Sequence, residues 1–402
     1  MSTSIHRCRR WLTSLIQCNN NIRRGRLFYD RDYHIHLGGA IPSSYIADWI
    51  NDGHLSLNDE IPDLVASSSS ASDVPIPMIA VRQALLKYRE VRANQLSHDL
   101  EGNDQFLSAY STPAYSSLPT FLTMYRAYSK RSLLHKYASQ IARGKYVHAY
   151  SDIRISIPHP TENEAPSRYA ERAIQEMNYF HSCLLPSQKL FITFPRQTFN
   201  AHNNLLYFGS FIDMLSSGAN SNTPWTSSQQ LNFDFAGQPL PLNETIPLLE
   251  KLRGTFPSAF ICYHHGEVCP HIPFSDRVND TLQLLPYVNR IGHGLCLGLA
   301  ILEINPDDIS SSEHDTISDT EVIQRNKDVA YQCLNQMSKL NIGIEVSPTC
   351  NITLGGARSK KVLRSYVDAF LDCGVNVYVG TDDPGFLGTC LEAEIELLRD
   401  LE

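Results

Sequence analysis

Residues 32–40 read DYHIHLGGA. The run is short and mostly apolar, and two adjacent glycines, Gly38 and Gly39, end it. A strand has a side-chain period of two, so His34 and His36 point to one side while Ile35 points to the other. A lone histidine near a strand is ordinarily a satisfied core residue. Two on one face at a strand end raise a second reading, half of a metal site, which needs partners from elsewhere in the chain.

Runs of the same kind recur. With YHIHL (33–37) there are YVHAYSDIRIS (146–156), KLFITF (189–194), LNFDFAG (231–237), AFICYHH (259–265), NRIGHG (289–294), IGIEVSP (342–348) and VNVYVGTDD (375–383). Several are apolar on nearly every residue, as parallel strands covered on both faces require. Helical patterns lie between them, such as IPLLEKLRG (246–254) and EVIQRNKDVAYQCLNQMSKL (321–340). Strands alternating with helices in this way predict an α/β fold, a (β/α)8 TIM barrel. A doubly wound open sheet is the competing architecture, but the chain lacks the early Gly-rich phosphate loop that would favour it. The long interval between the first two strands must fold into extra helices; SLPTFLTMYRAYSKRSLLHKYASQIARG (117–144) fits that role.

Composition narrows the classes. The 402 residues are 42% hydrophobic with a net charge of −8, so the core is ample and nothing favours a nucleic-acid partner. No apolar run approaches the ~20 residues that span a bilayer. The ten cysteines are scattered with no CxxC pair, which reads as reduced thiols in a cytoplasmic protein rather than a disulfide framework. Residues 1–30 form an N-terminal extension, basic and without an acid before Asp30; an amphipathic outer helix explains it better than a transit peptide. Residues 31–402 are expected to form the barrel. Residues 65–77, 214–230 and 305–321 have the composition of solvated loops.

Active sites of such barrels lie at the C-terminal ends of the strands. There the sequence places His34 and His36, then His264, His265 and Glu267 of YHHGEV, His293 of RIGHG, and Asp382 and Asp383 of GTDDP. Each motif alone is an ordinary corner or turn. Together they gather histidines and carboxylates at four strand ends, while strand interiors read as apolar. Three imidazoles and a carboxylate suit zinc or another first-row ion, with Asp383 and His293 as second-layer or water-orienting groups. The fourth strand has no Lys or Glu at its end to bridge two ions, which predicts one metal.

HIHLGGAIP, HHGEV, RIGHG, IEVSPTCNITLG and VGTDDP, in this order, resemble the adenosine deaminase family of metal-dependent hydrolases. The resemblance implies a (β/α)8 barrel, one catalytic Zn2+ and hydrolytic removal of the 6-amino group of an adenine ring. By this resemblance His34, His36, His264 and Asp382 match the metal ligands. Glu267 matches the acid that protonates purine N1, and should be buried enough to hold its proton. His293 matches the group that orients the attacking water, Asp383 the carboxylate that holds that water and contacts N7, and Gly237 the glycine whose backbone N–H meets N3.

Three departures bear on substrate and assembly. Relatives acting on adenosine carry an Asp where this chain has Gly38; glycine removes a carboxylate that would repel a 5′-phosphate, so a nucleotide substrate gains ground. Arg154 and Arg196 are candidate phosphate partners, with internal ion pairing the plainer explanation. His265 stands beside a ligand position that is usually small, and either joins a supporting network or faces solvent. The chain ends soon after the last strand, so GTCLEAEIELLRDLE (388–402) closes the barrel alone, or a further tail, or an oligomeric partner, covers that side. The expected small-molecule partner is an adenine nucleoside or nucleotide. The alternatives are an amidohydrolase acting on another amino-heterocycle and a catalytically silent barrel used for binding or assembly.

Overall fold

The computed structural model describes residues 24–41, 131–144, 146–161, 163–195, 201–217, 231–237, 242–267, 272–304, 318–353, 356–357, 359–387 and 389–399. Most of the basic extension, the 65–77 stretch, the first part of the 117–144 helical stretch, most of the two later loops, and Arg196 lie outside the described residues.

The strands are β1 (Leu27–Phe28), β2 (Asp32–His36), β3 (Ser151–Ser156), β4 (Lys189–Pro195), β5 (Asn232–Ala236), β6 (Phe260–His265), β7 (Arg290–His293), β8 (Gly343–Val346) and β9 (Val377–Val379). All pair in parallel, in the order β1-β9-β8-β7-β6-β5-β4-β3-β2. The helices are α1 (Arg131–Ala142), α2 (Pro166–Cys183), α3 (Ala201–Ser216), α4 (Leu242–Thr255), α5 (Phe274–Leu284), α6 (Leu295–Ile301), α7 (Ser318–Leu340), α8 (Pro348–Thr353), α9 (Lys360–Asp372), α10 (Pro384–Leu387) and α11 (Leu391–Leu398). Each of the eight predicted strands is present, most of them shortened at their ends; β2 begins one residue earlier, at Asp32, β4 runs one residue further, to Pro195, and the two-residue β1 is a strand the sequence reading did not predict. Parallel strands with helices between them form the (β/α)8 barrel. No helix among the described residues is long and apolar enough to cross a membrane.

The sheet closes between its first long strand and the segment after its last. Ile35 bridges Asp382. The Asp382 N–H donates to the His34 carbonyl at 2.7 Å, and the His36 N–H donates to the Asp382 carbonyl at 2.8 Å. Below that point β1 takes the partner's place, with Leu27 and Phe28 against Val377 and Tyr378. The seam is pinned by buried Asp32, which accepts from the Thr381 hydroxyl (2.6 Å), the Thr381 N–H (3.1 Å) and the His34 N–H (3.2 Å).

The apolar core lies outside the strand ring. Ile35, Ile153, Ile192, Phe233, Ile261, Ile344 and Val377 are buried in one cluster with helix residues such as Ile174, Phe211, Leu249, Leu334 and Phe370. The helices present the matching stripes. On α9, Leu363, Tyr366, Val367 and Phe370 are buried at a spacing of three and four, and the Ser359 side chain caps its first turn by accepting from the Val362 N–H. Burying each such aliphatic or aromatic side chain contributes about 1.5–3 kcal/mol against leaving it in water.

Inside the ring the strands are charged, contrary to the expectation of apolar strand interiors. Arg154 (β3), Asp234 (β5), Cys262 (β6) and Glu345 (β8) are fully buried and touch one another, although β3, β5 and β8 are not neighbours in the sheet. Such contacts are possible only across the barrel axis. Arg154 donates to Glu345 and lies 3.6 Å from Asp234, so its role is internal ion pairing. Arg290 lies under this layer, bonded to Glu345 and Asp152 and stacked on the rings of Tyr33, Phe260 and Tyr378. The period-two pattern was masked because each charge stands alone between aliphatic residues, as in DIRIS and GIEV.

Arg154→Met keeps most of the volume and removes the charge, leaving Glu345 and Asp234 buried without it. Urea unfolding of the variant should show a loss of about 3–5 kcal/mol. A loss below about 1 kcal/mol would mean that the layer is not held by this ion pair.

Candidate active site

His34 and His36 project from β2 into the C-terminal mouth of the barrel, where His264 is the penultimate residue of β6 and His293 ends β7. The four rings converge: His34 lies 4.5 Å from His264 and 5.2 Å from both His36 and His293, centroid to centroid. Asp382 completes the group, with its Oδ1 3.6 Å from Nε2 of His34 and of His36. Ligand atoms of His34, His36 and His264 lie within 4.8 Å of one another, as do those of His34, His293 and Asp382, and those of His264, Glu267 and His293.

Two of these side chains reach the site by costly backbone. Asp382 has φ of 65° and His293 has φ of 64°, in the left-handed region. Non-glycine residues there cost on the order of 1–3 kcal/mol, and they persist where surrounding structure holds them. The kink at Asp382 lets its backbone close the seam with β2 while its carboxylate turns inward.

Protonation is set from below. Glu345 is fully buried, and burial would raise its pKa. Arg154, Arg290 and the hydrogen bonds from Cys262 and Arg290 outweigh that and hold it below the ordinary carboxylate value. An ionised carboxylate only accepts, so the 2.9 Å contact between His34 Nδ1 and Glu345 Oε2 places the proton on Nδ1. Burial first, then Arg154 and the neighbouring imidazoles, push the pKa of His34 well down and keep it neutral. Its Nε2 is therefore a bare lone pair, buried and without a hydrogen-bond partner among the described residues. Burial and its neighbours, His264 foremost, likewise keep His36 neutral. A buried, oriented, neutral imidazole beside a carboxylate is the donor set of a divalent first-row metal, so these residues fit such an ion.

Around this group stand the remaining predicted residues. Glu267 lies past the end of β6, with Oε1 3.4 Å from His293 Nε2 and Oε2 3.9 Å from His264 Nδ1; its side chain is 33% exposed, more open than expected. Asp383 is buried, and burial followed by repulsion from Asp382 and Glu267 pushes its pKa well up. Gly39 makes room for it: a Cβ there would fall 1.6 Å from Asp383 Oδ1. Gly38 begins a buried 3-10 turn (Gly38–Ala40) beside this carboxylate's glycine. Gly237 ends β5 in an exposed turn with φ of 93°. His265 faces away from the site, its Nε2 2.7 Å from the Arg277 carbonyl on α5. The Arg277 guanidinium in turn donates to the Glu267 carbonyl at 2.9 Å. His265 therefore belongs to a clamp on the turn that carries Glu267.

Sequence reading missed several groups the structure brings here. Glu345 orients His34, and Asp234 lies 3.3 Å from His264 Nε2. Asn351 bonds His293, and the Cys350 thiol bonds Asp382. The first two were visible as single charges inside apolar strands. The last two sit in SPTCNIT, inside a motif that carries the family resemblance but does not mark which of its side chains reach the site.

No family model matches the chain, and no curated protein matches it in sequence. Its fold is similar to that of Arabidopsis ADAL complexed with IMP, at 13% identity and a TM-score of 0.50, over 97% of this chain and 88% of that one. It is likewise similar to the apo N6-methyl-AMP deaminase from Arabidopsis thaliana, at 13% identity and a TM-score of 0.50, over 94% and 86%. At this identity the likeness establishes the fold, a TIM barrel of the kind found in those deaminases.

Asp382→Gly removes the left-handed strain and one of a set of crowded carboxylates. With metal chelated, the variant should be more stable than the parent by about 1 kcal/mol in urea unfolding. A metal-free variant less stable than the parent would show that Asp382 is a structural residue first.

Proposed function

We propose that the chain is a zinc-dependent aminohydrolase that removes the 6-amino group of an adenine nucleoside or nucleotide. The observation that carries this reading is the bare, buried Nε2 of His34, aimed at Asp382 among three further imidazoles with Glu267 at the rim. His34, His36, His264 and Asp382 would hold the metal. A divalent ion at such a site supplies a nucleophile near neutral pH by lowering the pKa of water from 15.7 to about 7.

The chain's own residues do the rest. Glu267 donates a proton to purine N1, which makes C6 electrophilic. A positioned acid of this kind contributes about 10²–10⁴-fold. His293, 3.4 Å from Glu267, accepts a proton from the attacking water. Asp383, seated against Gly39, orients that water and, keeping its proton as its raised pKa allows, donates to purine N7. The Gly237 N–H, in the turn after β5, donates to N3. His293 returns its proton to the 6-amino group, which leaves C6 as ammonia, and the proton lost as the C6 hydroxyl becomes a carbonyl restores Glu267. Residues 31–402 act as one catalytic unit.

A nucleotide is the favoured substrate. Gly38 carries no charge to repel a 5′-phosphate, and the similar ADAL fold is complexed with IMP, the nucleotide that deamination of AMP yields. The full-length chain with zinc should turn over AMP, dAMP or N6-methyl-AMP faster than adenosine in an ultraviolet assay that also includes adenine, ATP and guanine. Turnover of guanine alone would favour a different amino-heterocycle, and stoichiometric zinc with no turnover on any of them would leave a binding module.

Two variants separate the roles. Glu267→Gln should retain zinc by elemental analysis and lose about 10²-fold or more in kcat; full activity would refute the acid assignment. Gly39→Ala drives a methyl group into the Asp383 carboxylate, and should lower kcat by at least about 10-fold with zinc still bound.

A further inference from the structure

Glu267 stands at the rim of the site, 33% exposed, with its carboxylate 3.4 Å from His293 and 3.9 Å from His264. Both separations are longer than an N–H···O hydrogen bond, and the direction in which the side chain leaves the turn is set by the backbone. That backbone is held at three successive residues. The His265 Nε2 lies 2.7 Å from the Arg277 carbonyl, which also accepts from the Thr281 hydroxyl at 3.3 Å. Gly266 has φ of 82°, and a Cβ there would fall 2.5 Å from the Cys296 Sγ of α6, so the turn lies directly on that helix. The Glu267 carbonyl accepts from the Arg277 guanidinium at 2.9 Å. Arg277, near the start of α5, is 2% exposed, and its guanidinium lies 5.5 Å from the centre of the Phe274 ring.

A carbonyl turns with ψ of its own residue, so a donor that holds the Glu267 carbonyl fixes that torsion. With Gly266 seated against α6, the Cα–Cβ direction of Glu267 is then set from both sides. Arginine suits the task, because it can only donate and keeps its charge at every accessible pH. We propose that Arg277 is a positioning residue, which fixes the Glu267 carbonyl and so aims the carboxylate at the reacting groups. The catalytic meaning of this assignment rests on the aminohydrolase reading; the hold on the turn does not. The interlock is reciprocal. The His265 ring anchors the Arg277 backbone, and the Arg277 side chain anchors the Glu267 backbone. The end of β6 and the start of α5 therefore move together, and the acid moves with them. Released from this hold, a side chain already a third exposed swings toward water, and its carboxyl leaves the reach of purine N1.

The test uses the full-length, zinc-loaded chain. Arg277→Met keeps most of the side chain's length and removes the donor. A hydrogen bond from a charged group is worth about 10–100-fold in a local equilibrium, so kcat should fall by about that factor, with KM changed less than about 3-fold and zinc content unchanged. In the Glu267→Gln background the same substitution should lower kcat by less than about 3-fold, because the acid it positions is already gone. A second readout needs no turnover. Cleavage after Glu267 by a glutamate-specific endoprotease, assigned by its absence in Glu267→Gln, should quicken by about 10–100-fold in Arg277→Met, since proteolysis follows local opening. Arg277→Lys keeps a charged donor and should be less impaired in both respects. Arg277→Gln carries the same tests if Arg277→Met does not fold. A folded variant that keeps the parent's kcat or the parent's cleavage rate overturns the proposal, as does an Arg277→Lys no better than Arg277→Met. So does an equal loss of kcat with and without Glu267→Gln, which is what a purely structural role would give. If the parent turns over no substrate, the aminohydrolase reading fails, while the cleavage rates still decide whether Arg277 holds the turn.

Discussion

The buried carboxylate of Glu345 is the point on which the interior of this barrel turns. Its two oxygens accept hydrogen bonds from His34 Nδ1, the Cys262 thiol, Arg154 and Arg290. An isolated carboxylate at the centre of a barrel would shed its charge, since desolvation costs several kcal/mol. Two guanidinium groups prevent that, and the charge they preserve is what aligns His34. Structural and chemical demands therefore meet in one side chain. The arginines balance the acid, and the acid settles the orientation of the first imidazole.

That arrangement explains why the apolar core lies between strands and helices rather than inside the ring. The inward positions of β3, β5 and β8 are spent on Arg154, Asp234 and Glu345, so the hydrophobic driving force comes from the outward positions and the helix stripes against them. The strands thus have two coherent faces. One is aliphatic and aromatic and drives folding. The other is ionic and sets the electrostatics of the mouth above it.

Much of this was legible in the sequence. The eight long strands, the alternation with helices and the gathering of His34, His36, His264, His293 and Asp382 at one end follow from period-two runs and from polar residues at strand ends. What was not legible depends on contacts between distant elements. Arg154 was visible as a residue, but nothing local says that it meets Asp234 and Glu345 across the axis. His265 reads equally well as solvent-facing or buried until α5 brings the Arg277 carbonyl to it. The place of Asn351 beside His293 is hidden for the same reason, because its partner comes from β7. Backbone strain was equally invisible: neither RIGHG nor GTDDP announces that the residue entering the site is the one in left-handed conformation.

The seam has a consequence for how the protein is made. The groups that close the sheet, Asp32 and Thr381, are 349 residues apart in the chain, and the imidazoles of β2 meet Asp382 at that same closure. Contacts so distant in sequence form late, after the loop entropy of nearly the whole polypeptide has been met. During synthesis the first two histidines leave the ribosome long before their acidic partner exists. Until β9 docks they stand at an open sheet edge, a surface available to stray metal and to other chains. Assembly of the metal-ligating cluster and completion of the fold are therefore a single event.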